Sequence, residues 1–193
     1  MILITKTPGI ILWHVVMSVD GYIAGAGRAL GWIFRHQRAN PAVKDVIRTT
    51  GTVLMGRRSY EAGKRPGNPP SAGKVCAGSW IGPQFVLTHR VPPAEEDPTV
   101  TFLSDDIGGA VARAREEARG KNVVLIGATV ARQALDAGLV DKILVYLSPV
   151  LLSDGVRLFG RPGSGRVRLE RLGATSAGLL TNLCFKIEKG ETA

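Results

Sequence analysis

Short runs of branched apolar residues that end at a glycine and pass into a helix-forming stretch recur along this chain. The segment TVLMG breaks at Gly56 into RRSYEAGK, and NVVLIG breaks at Gly127 into ATVARQALDAG. Between them lie two more short apolar runs, FVLTHR and TVTFL, and then SDDIGGAVARAREEA, whose apolar residues share one helical face. Strands and helices thus alternate between Phe85 and Leu147, which predicts βαβ units and a largely parallel sheet with helices on its faces.

The two ends of the chain complete the predicted sheet. The run GIILWHVVMS predicts a strand buried on both faces, and NPAVKDVIRTT predicts a helix that opens at an Asn-Pro pair and ends at Gly51. Ser104 is expected to cap the helix that follows TVTFL. The last segments, VRLERLGATSAG and LLTNLCFKIEK, alternate in polarity and predict an antiparallel hairpin across a Ser-Ala-Gly turn.

We therefore predict an α/β fold of three layers, with a mixed, mainly parallel sheet flanked by helices and a C-terminal antiparallel hairpin. We expect one domain to cover residues 1–193, since this length suits a single globular unit.

Charge and cysteine content narrow the class of partner. The formal net charge is +9, which favours anionic ligands, but basic residues are scattered and no basic run is interleaved with aromatic residues. Nucleic-acid binding is therefore the weaker expectation. Cys76 and Cys184 lie far apart without Cys or His at metal-ligand spacing, so neither a metal site nor a disulfide framework is expected.

The amino-terminal apolar stretch is too short to span a membrane. It runs from Ile10 to Met17 and is interrupted by His14, while Lys6 alone makes a poor charged region for a signal peptide. We expect a cytoplasmic protein without a membrane partner.

Three strand ends carry the residues that could bind a phosphorylated ligand, because ligands collect at the carboxyl ends of strands in an open α/β sheet. The glycines allow the backbone to approach a phosphate, and the arginines, hydroxyls and imidazole offer donors to it. Each group also has a plainer reading, as a solvated helix start, an ordinary loop or a tight turn. The three groups are Gly56-Arg57-Arg58-Ser59, Thr88-His89-Arg90 and Gly127-Ala128.

Two long loops are also predicted. The segment VDGYIAGAGRALGW, residues 19–32, is too rich in small residues for a packed element and suits a flexible loop over a substrate. Residues 65–83 are dense in Gly, Pro and Ser and predict a long exposed loop.

The order of these segments resembles the dihydrofolate-reductase superfamily, and especially the branch related to the reductase domain of bacterial riboflavin biosynthesis (RibD C-terminal domain). The segments run in the order VVMSVDGYIAG, TVLMGRRSYE, FVLTHR, VVLIGATVARQAL and DKILVYLSPVLLSDGVRLFG, within residues 10–187. Relatives usually have two adjacent glycines where this chain has Gly127 and Ala128. The resemblance implies a dihydrofolate-reductase-like fold and NADPH as cofactor.

The resemblance also assigns roles to the strand ends. It implies that Gly56 to Ser59 hold cofactor phosphates, that Thr88, His89 and Arg90 surround the adenosine 2′-phosphate, and that the pyrophosphate lies on the turn formed by Gly127, Ala128, Thr129 and Val130. The loop from Asp20 to Trp32 would cover nicotinamide and substrate, with Ala24 near the nicotinamide.

The acid that supports protonation in dihydrofolate reductases has no obvious counterpart. Asn40 falls near its position, and Asp45 lies further along the same helix, where an exposed position is the plainer reading. Asp20 is the other candidate, since riboflavin reductases share it, although it could equally fix the turn through its own hydrogen bonds.

The sequence therefore predicts an NADPH-dependent reductase that passes hydride to a small pterin- or pyrimidine-like heterocycle. One alternative is 5-amino-6-(5-phosphoribosylamino)uracil reductase itself. Another is a non-catalytic nucleotide-binding or regulatory protein that retains the fold. Relatives of this branch commonly pair, so we also expect a homodimer formed through the apolar closing strands.

Overall fold

Buried branched residues define the strands of a central sheet. The computed structural model describes residues 9–35, 39–93, 97–160 and 165–189. Within these ranges the strands are β1 (Ile11–Ser18), β2 (Tyr22–Ala24), β3 (Thr50–Gly56), β4 (Gln84–Leu87), β5 (Val100–Leu103), β6 (Asn122–Ile126), β7 (Lys142–Ser148), β8 (Val156–Arg157), β9 (Leu169–Ala177) and β10 (Leu180–Ile187). The α-helices are α1 (Gly31–Phe34), α2 (Pro41–Thr49), α3 (Arg57–Tyr60), α4 (Ile107–Glu117) and α5 (Ala128–Asp136).

Eight of these strands form one sheet in the order β5-β4-β3-β6-β1-β7-β10-β9. Neighbours from β5 to β7 run parallel, and β10 pairs antiparallel with both β7 and β9. The predicted mixed sheet and C-terminal hairpin are confirmed. The hairpin turn is formed by Gly178 and Leu179, so Ser176 and Ala177 stay in β9; the positive φ of 60° at Gly178 suits the first position of a two-residue turn.

Helices cover both faces of the sheet. One face packs against α4 and α5 through small residues that include Ala110, Ala114 and Ala131, which lie over Trp13 and Leu125 of the strands. The other face packs against α2 through Val46 and against the segment around Val75. The three predicted layers are therefore present, and each face of the sheet has its own apolar cluster.

The helix boundaries differ from two predictions. Gly51 does not end α2 but lies inside β3, because the Thr49 and Thr50 hydroxyls donate to the carbonyls of Asp45 and Val46 at 2.8 and 2.6 Å and close the helix earlier. Asp106, not Ser104, caps α4, since its carboxylate accepts from the Gly109 amide at 2.7 Å.

Both predicted loops carry more structure than expected. Within residues 19–32, β2 pairs with β8, and α1 begins at Gly31. The hydroxyl of Ser18 accepts from the Tyr22 amide at 2.9 Å, which anchors this small strand. The segment 65–83 is not fully exposed, because Val75 is 4% exposed and packs in the cluster with α2.

The closing strand β9 leaves apolar side chains on the surface. Leu169 and Leu172 on this edge strand and Leu179 in its turn are among the exposed large hydrophobic residues. They are consistent with an interface, but the predicted homodimer stays a prediction. None of the helices in the described residues has the length and apolar character needed to cross a lipid bilayer.

Two buried amides tie the start of α2 to the closing hairpin. Asn40 caps α2 by accepting from the Ala42 amide at 3.0 Å, and its side chain exchanges two hydrogen bonds with Asn182, at 2.9 and 3.1 Å. We predict that Asn40→Ala lowers the free energy of unfolding by about 2–3 kcal/mol, since it removes a cap and leaves the buried Asn182 Oδ1 without its donor, while the Asn182 Nδ2 keeps its hydrogen bond to the Thr175 hydroxyl. Urea unfolding measures the change.

A double-mutant cycle provides the control for this prediction. Asn40→Ala combined with Asn182→Ala should cost less than the sum of the single changes, because the second change removes the Asn182 oxygen that the first leaves without a donor. Strict additivity would show that the two side chains do not interact.

Candidate functional site

A cleft of about 1260 Å³ opens at the carboxyl edge of the sheet. All three predicted strand-end groups border it. The pairing register explains this convergence, because Gly56 pairs with Leu87 of β4, and Met55 pairs with Ile126 of β6. The residues that follow these three neighbouring parallel strands therefore emerge side by side. Those that line the cleft are Gly56, Arg57, Arg58, Ser59, Thr88, His89, Gly127, Ala128, Thr129 and Val130.

At Gly127 the turn after β6 approaches the turn after β3 closely. Its φ of 89° lies in the left-handed region, and a Cβ at this position would overlap the Ser59 hydroxyl. Ala128 is the first residue of α5 and is buried, so a methyl group fits there. The close approach therefore depends on the first position of the Gly127-Ala128 pair, which is the one that this chain keeps as glycine.

The turn after β4 is held by Arg57. Its guanidinium donates to Glu61 at 2.8 Å and to the Arg90 carbonyl at 2.9 Å, while the Thr88 hydroxyl also contacts the Arg90 backbone. The Arg90 side chain is exposed and is not among the residues that line the cleft. The structure thus brings Thr88 and His89 to the cleft and leaves the Arg90 guanidinium outside its wall.

Asp20 supports a turn and lies outside the cleft wall. Its carboxylate accepts from the Ser18 hydroxyl at 2.6 Å and from the Leu152 and Ser153 amides at 3.0 and 2.7 Å. These hydrogen bonds, the Ser18 bond foremost, hold the pKa of Asp20 below its ordinary value. Of the two roles considered for Asp20, these contacts match the structural one, in which its side chain fixes the turn. Ala24, by contrast, lines the cleft and is buried in β2.

Helix α2 forms the opposite wall without presenting an acid. Its inward side chains are Val43, Lys44 and Ile47, and Asn40 borders the cleft while bound to Asn182. The hypothesis that Asp45 faces the pocket is wrong: its carboxylate is 71% exposed and pairs with Arg48 at 3.2 Å, because it lies on the opposite side of the helix.

Two polar side chains that the sequence did not single out form part of the cleft floor. His14 of β1 and Tyr146 of β7 contact each other edge to face, with 5.0 Å between ring centroids. Neither the His14 Nε2 nor the Tyr146 hydroxyl has a hydrogen-bond partner among the described residues. Burial lowers the pKa of His14 to about 4 and raises the pKa of Tyr146. The signal for His14 in the sequence was its position as a polar residue in the interior of an apolar strand.

The parallel sheet and the edge cleft define a fold of the dihydrofolate-reductase type. A dihydrofolate reductase from Enterococcus faecalis, complexed with NADP(H), shares it with a TM-score of 0.60 and 14% identity, over 94% of this chain and 98% of that one. A profile of the RibD C-terminal domain family matches residues 10–181, so this chain belongs to that family. The predicted superfamily and branch are confirmed, and the family is one of reductases of the RibD and dihydrofolate-reductase type.

Other similar proteins support the same placement. A putative riboflavin biosynthesis protein from Shewanella sp. PV-4 has a TM-score of 0.77 and 18% identity, over 93% of this chain and 99% of that chain. A Thermotoga maritima deaminase and 5-amino-6-(5-phosphoribosylamino)uracil reductase has a TM-score of 0.67 and 15% identity, over 95% of this chain and 58% of that chain. The uncharacterized protein YwjB of Bacillus subtilis (strain 168) is 27% identical over 150 residues, 76% of this chain and 80% of its own.

The Gly127 turn provides a test of the cleft geometry. We predict that Gly127→Ala lowers the free energy of unfolding by about 1–3 kcal/mol, since it adds left-handed strain and an overlap with Ser59. Chemical denaturation measures the loss. Adding Ser59→Ala should recover the part due to overlap but leave the strain. A Gly127→Ala protein as stable as the wild type would contradict this geometry.

The buried imidazole predicts a pH dependence of stability. His14 binds a proton at pH 6.5 when unfolded but only near pH 4 when folded. The contribution of the neutral His14 to the free energy of unfolding is therefore complete above pH 6.5, and it is lost as the pH falls from 6.5 towards 4. We expect the free energy of unfolding to fall by about 2 kcal/mol across this window. This is less than the full pKa shift would give, because part of the ring borders the cleft. Urea unfolding at several pH values should show a flatter dependence of the free energy of unfolding on pH for His14→Leu than for the wild type.

Proposed function

We propose that this protein is an NADPH-dependent reductase that transfers hydride to a small pterin- or pyrimidine-like heterocycle. The observation that carries the proposal is the convergence of the turns after β3, β4 and β6 on one cleft. Membership of the RibD C-terminal domain family and the NADP(H) complex of the Enterococcus neighbour support the same cofactor.

The strand-end residues fit a phosphorylated dinucleotide. The missing Cβ of Gly127 leaves room beside Ser59, and the first amides of α5 (at Ala128, Thr129 and Val130) have no carbonyl partner within the helix. Such amides favour an anion, so they would bind the pyrophosphate. Thr88 and His89 would contact the adenosine 2′-phosphate, with Arg90 at the rim of the same turn.

The other half of the cleft suits an uncharged ring. Val43, Ile47 and Val16 supply apolar contacts, and the His14 and Tyr146 rings form the floor beneath them. NADPH would supply the hydride, while the chain orients the two rings and excludes water from between them. Ala24 leaves space in the β2 wall, where we propose that the nicotinamide binds.

The absence of a carboxylate on the α2 wall bears on the substrate. The carboxylates that line the described cleft are Asp105, Asp106 and Asp136, at the ends of α4 and α5 and not on α2. Asp106 is engaged as a helix cap, and Asp105 pairs with Arg113 at 3.5 Å. A substrate whose reduction requires protonation by an α2 acid therefore fits poorly, which disfavours dihydrofolate itself.

Two other functions compete with this proposal. The Thermotoga neighbour is named as a 5-amino-6-(5-phosphoribosylamino)uracil reductase, and this basic cleft would also suit that phosphorylated substrate. A nucleotide-binding protein without turnover is the second candidate, favoured by the outward position of Asp45 and by the use of Asn40 as a cap. Titration with NADPH, followed by turnover assays with that uracil and with a panel of pterins, distinguishes all three.

The cofactor preference gives a sharper prediction. Wild-type protein should bind NADPH at least about tenfold more tightly than NADH, because a 2′-phosphate adds charge-assisted hydrogen bonds. His89→Ala should reduce this preference more than Arg90→Ala, since only His89 lines the cleft. Fluorescence titration measures both constants.

Arg168→Ala serves as the matched control, because Arg168 is an exposed arginine just before β9 and its loss changes the net charge as Arg90→Ala does. It should keep the wild-type preference. Equal affinities of the wild type for NADPH and NADH would count against the proposed 2′-phosphate site.

A further inference from the structure

Three arginines that line the cleft have no ion-pair partner in the part of the chain that the structure describes. Arg28 lies in the loop before α1, Arg58 in α3, and Arg65 in the segment that follows α3. Within the described ranges, none of the three guanidinium groups forms an ion pair. Arg57, next to Arg58, differs because Glu61 neutralises it at 2.8 Å.

One asparagine connects the two segments that carry Arg28 and Arg65. The Asn68 amide nitrogen Nδ2 donates to the carbonyls of Arg28 and Ala62 at 3.3 and 3.0 Å, and its Oδ1 accepts from the Leu30 amide at 2.7 Å. The Asn68 backbone amide donates to the Arg65 carbonyl at 3.2 Å. Asn68 therefore holds the loop over the cleft (residues 19–32, hereafter the cover loop) against the segment that carries Arg65.

This arrangement costs free energy without an anion. Burial, and then the positive charges of Arg58 and Arg65, lower the pKa of Arg28, so the three groups repel one another. Arg28 also has a φ of 66°, which is unfavourable for a side chain with a Cβ. The Arg65 Nε is buried and has no hydrogen-bond partner among the described residues. Buried donors in native structures are almost always satisfied, so a missing acceptor belongs here.

We propose that Arg28, Arg58 and Arg65 form a binding site for a phosphoryl group, and that the bound anion holds the cover loop closed. A phosphoryl group fits because its oxygens can accept from several guanidinium groups at once. Arg28 reaches the anion only while the cover loop is closed, so binding and closure are coupled. The phosphoryl group belongs either to a phosphorylated substrate or to the cofactor. The substrate source rests on the proposed reductase function, whereas the anion site itself does not.

Hydrogen exchange by mass spectrometry tests the coupling, with ribose 5-phosphate as the probe, ribose as its neutral control and constant ionic strength. Ribose 5-phosphate should slow exchange in residues 19–32 of the wild type, and ribose should not. Arg28→Gln and Arg65→Gln should each weaken binding about tenfold to hundredfold, the loss expected for one charge-assisted contact. Arg168→Gln should bind as the wild type does.

Asn68→Ala separates the loop contact from the charge. It should speed exchange in the cover loop in the absence of any probe, and it should weaken ribose 5-phosphate binding less than Arg65→Gln, because all three arginines remain. If it affects binding as severely as Arg65→Gln while Arg28→Gln has no effect, the closure mechanism is wrong.

NADPH identifies the source of the phosphoryl group. Protection by ribose 5-phosphate on top of saturating NADPH assigns the site to the substrate, whereas competition between them assigns it to the cofactor. Failure of NADPH to bind would remove the proposed reductase function and leave the anion site intact if ribose 5-phosphate still binds. Equal ribose 5-phosphate affinity in the wild type, Arg28→Gln and Arg65→Gln overturns the anion site.

Discussion

The pairing of β4, β3 and β6 as adjacent parallel strands is the constraint on which the cleft depends. Because Gly56 is in register with Leu87, and Met55 with Ile126, the three strands end at the same level. The chain then leaves the sheet three times within one small region. A shift of register by one residue would exchange the two faces of a strand and move its turn away from the others. The two apolar clusters that flank the sheet hold this register.

Charge is distributed unevenly around the cleft that results. Arg28, Arg58 and Arg65 lie on the walls built by the cover loop and the segment after β3, while the floor presents His14, with a pKa near 4, and Tyr146. A neutral imidazole and a phenol do not attract an anion. The proposed ligand, a neutral ring that carries phosphoryl groups, matches this distribution of charge.

The fold could be predicted from the sequence because local patterns and glycine positions agreed with the final topology, as in NVVLIG and the helix after it. All three strand-end groups, apart from the Arg90 side chain, were also predictable, since strand ends in a parallel sheet meet at one edge. The outward Arg90 side chain and the outward Asp45 were not, because they depend on the rotation of a turn and of a helix. Arg28 and Arg65 were missed because contacts distant in sequence, those of Asn68 among them, bring them together. Tyr146 was hidden inside an ordinary apolar strand.

The most direct test of the central claim is a crystal structure of the protein grown with saturating NADPH. The account predicts cofactor density along the carboxyl edge of the sheet, with the pyrophosphate within hydrogen-bonding distance of the amides at residues 128–130 and the adenosine phosphate beside Thr88 and His89. Clear density for the cofactor on another surface, with the cleft filled only by water, would contradict it.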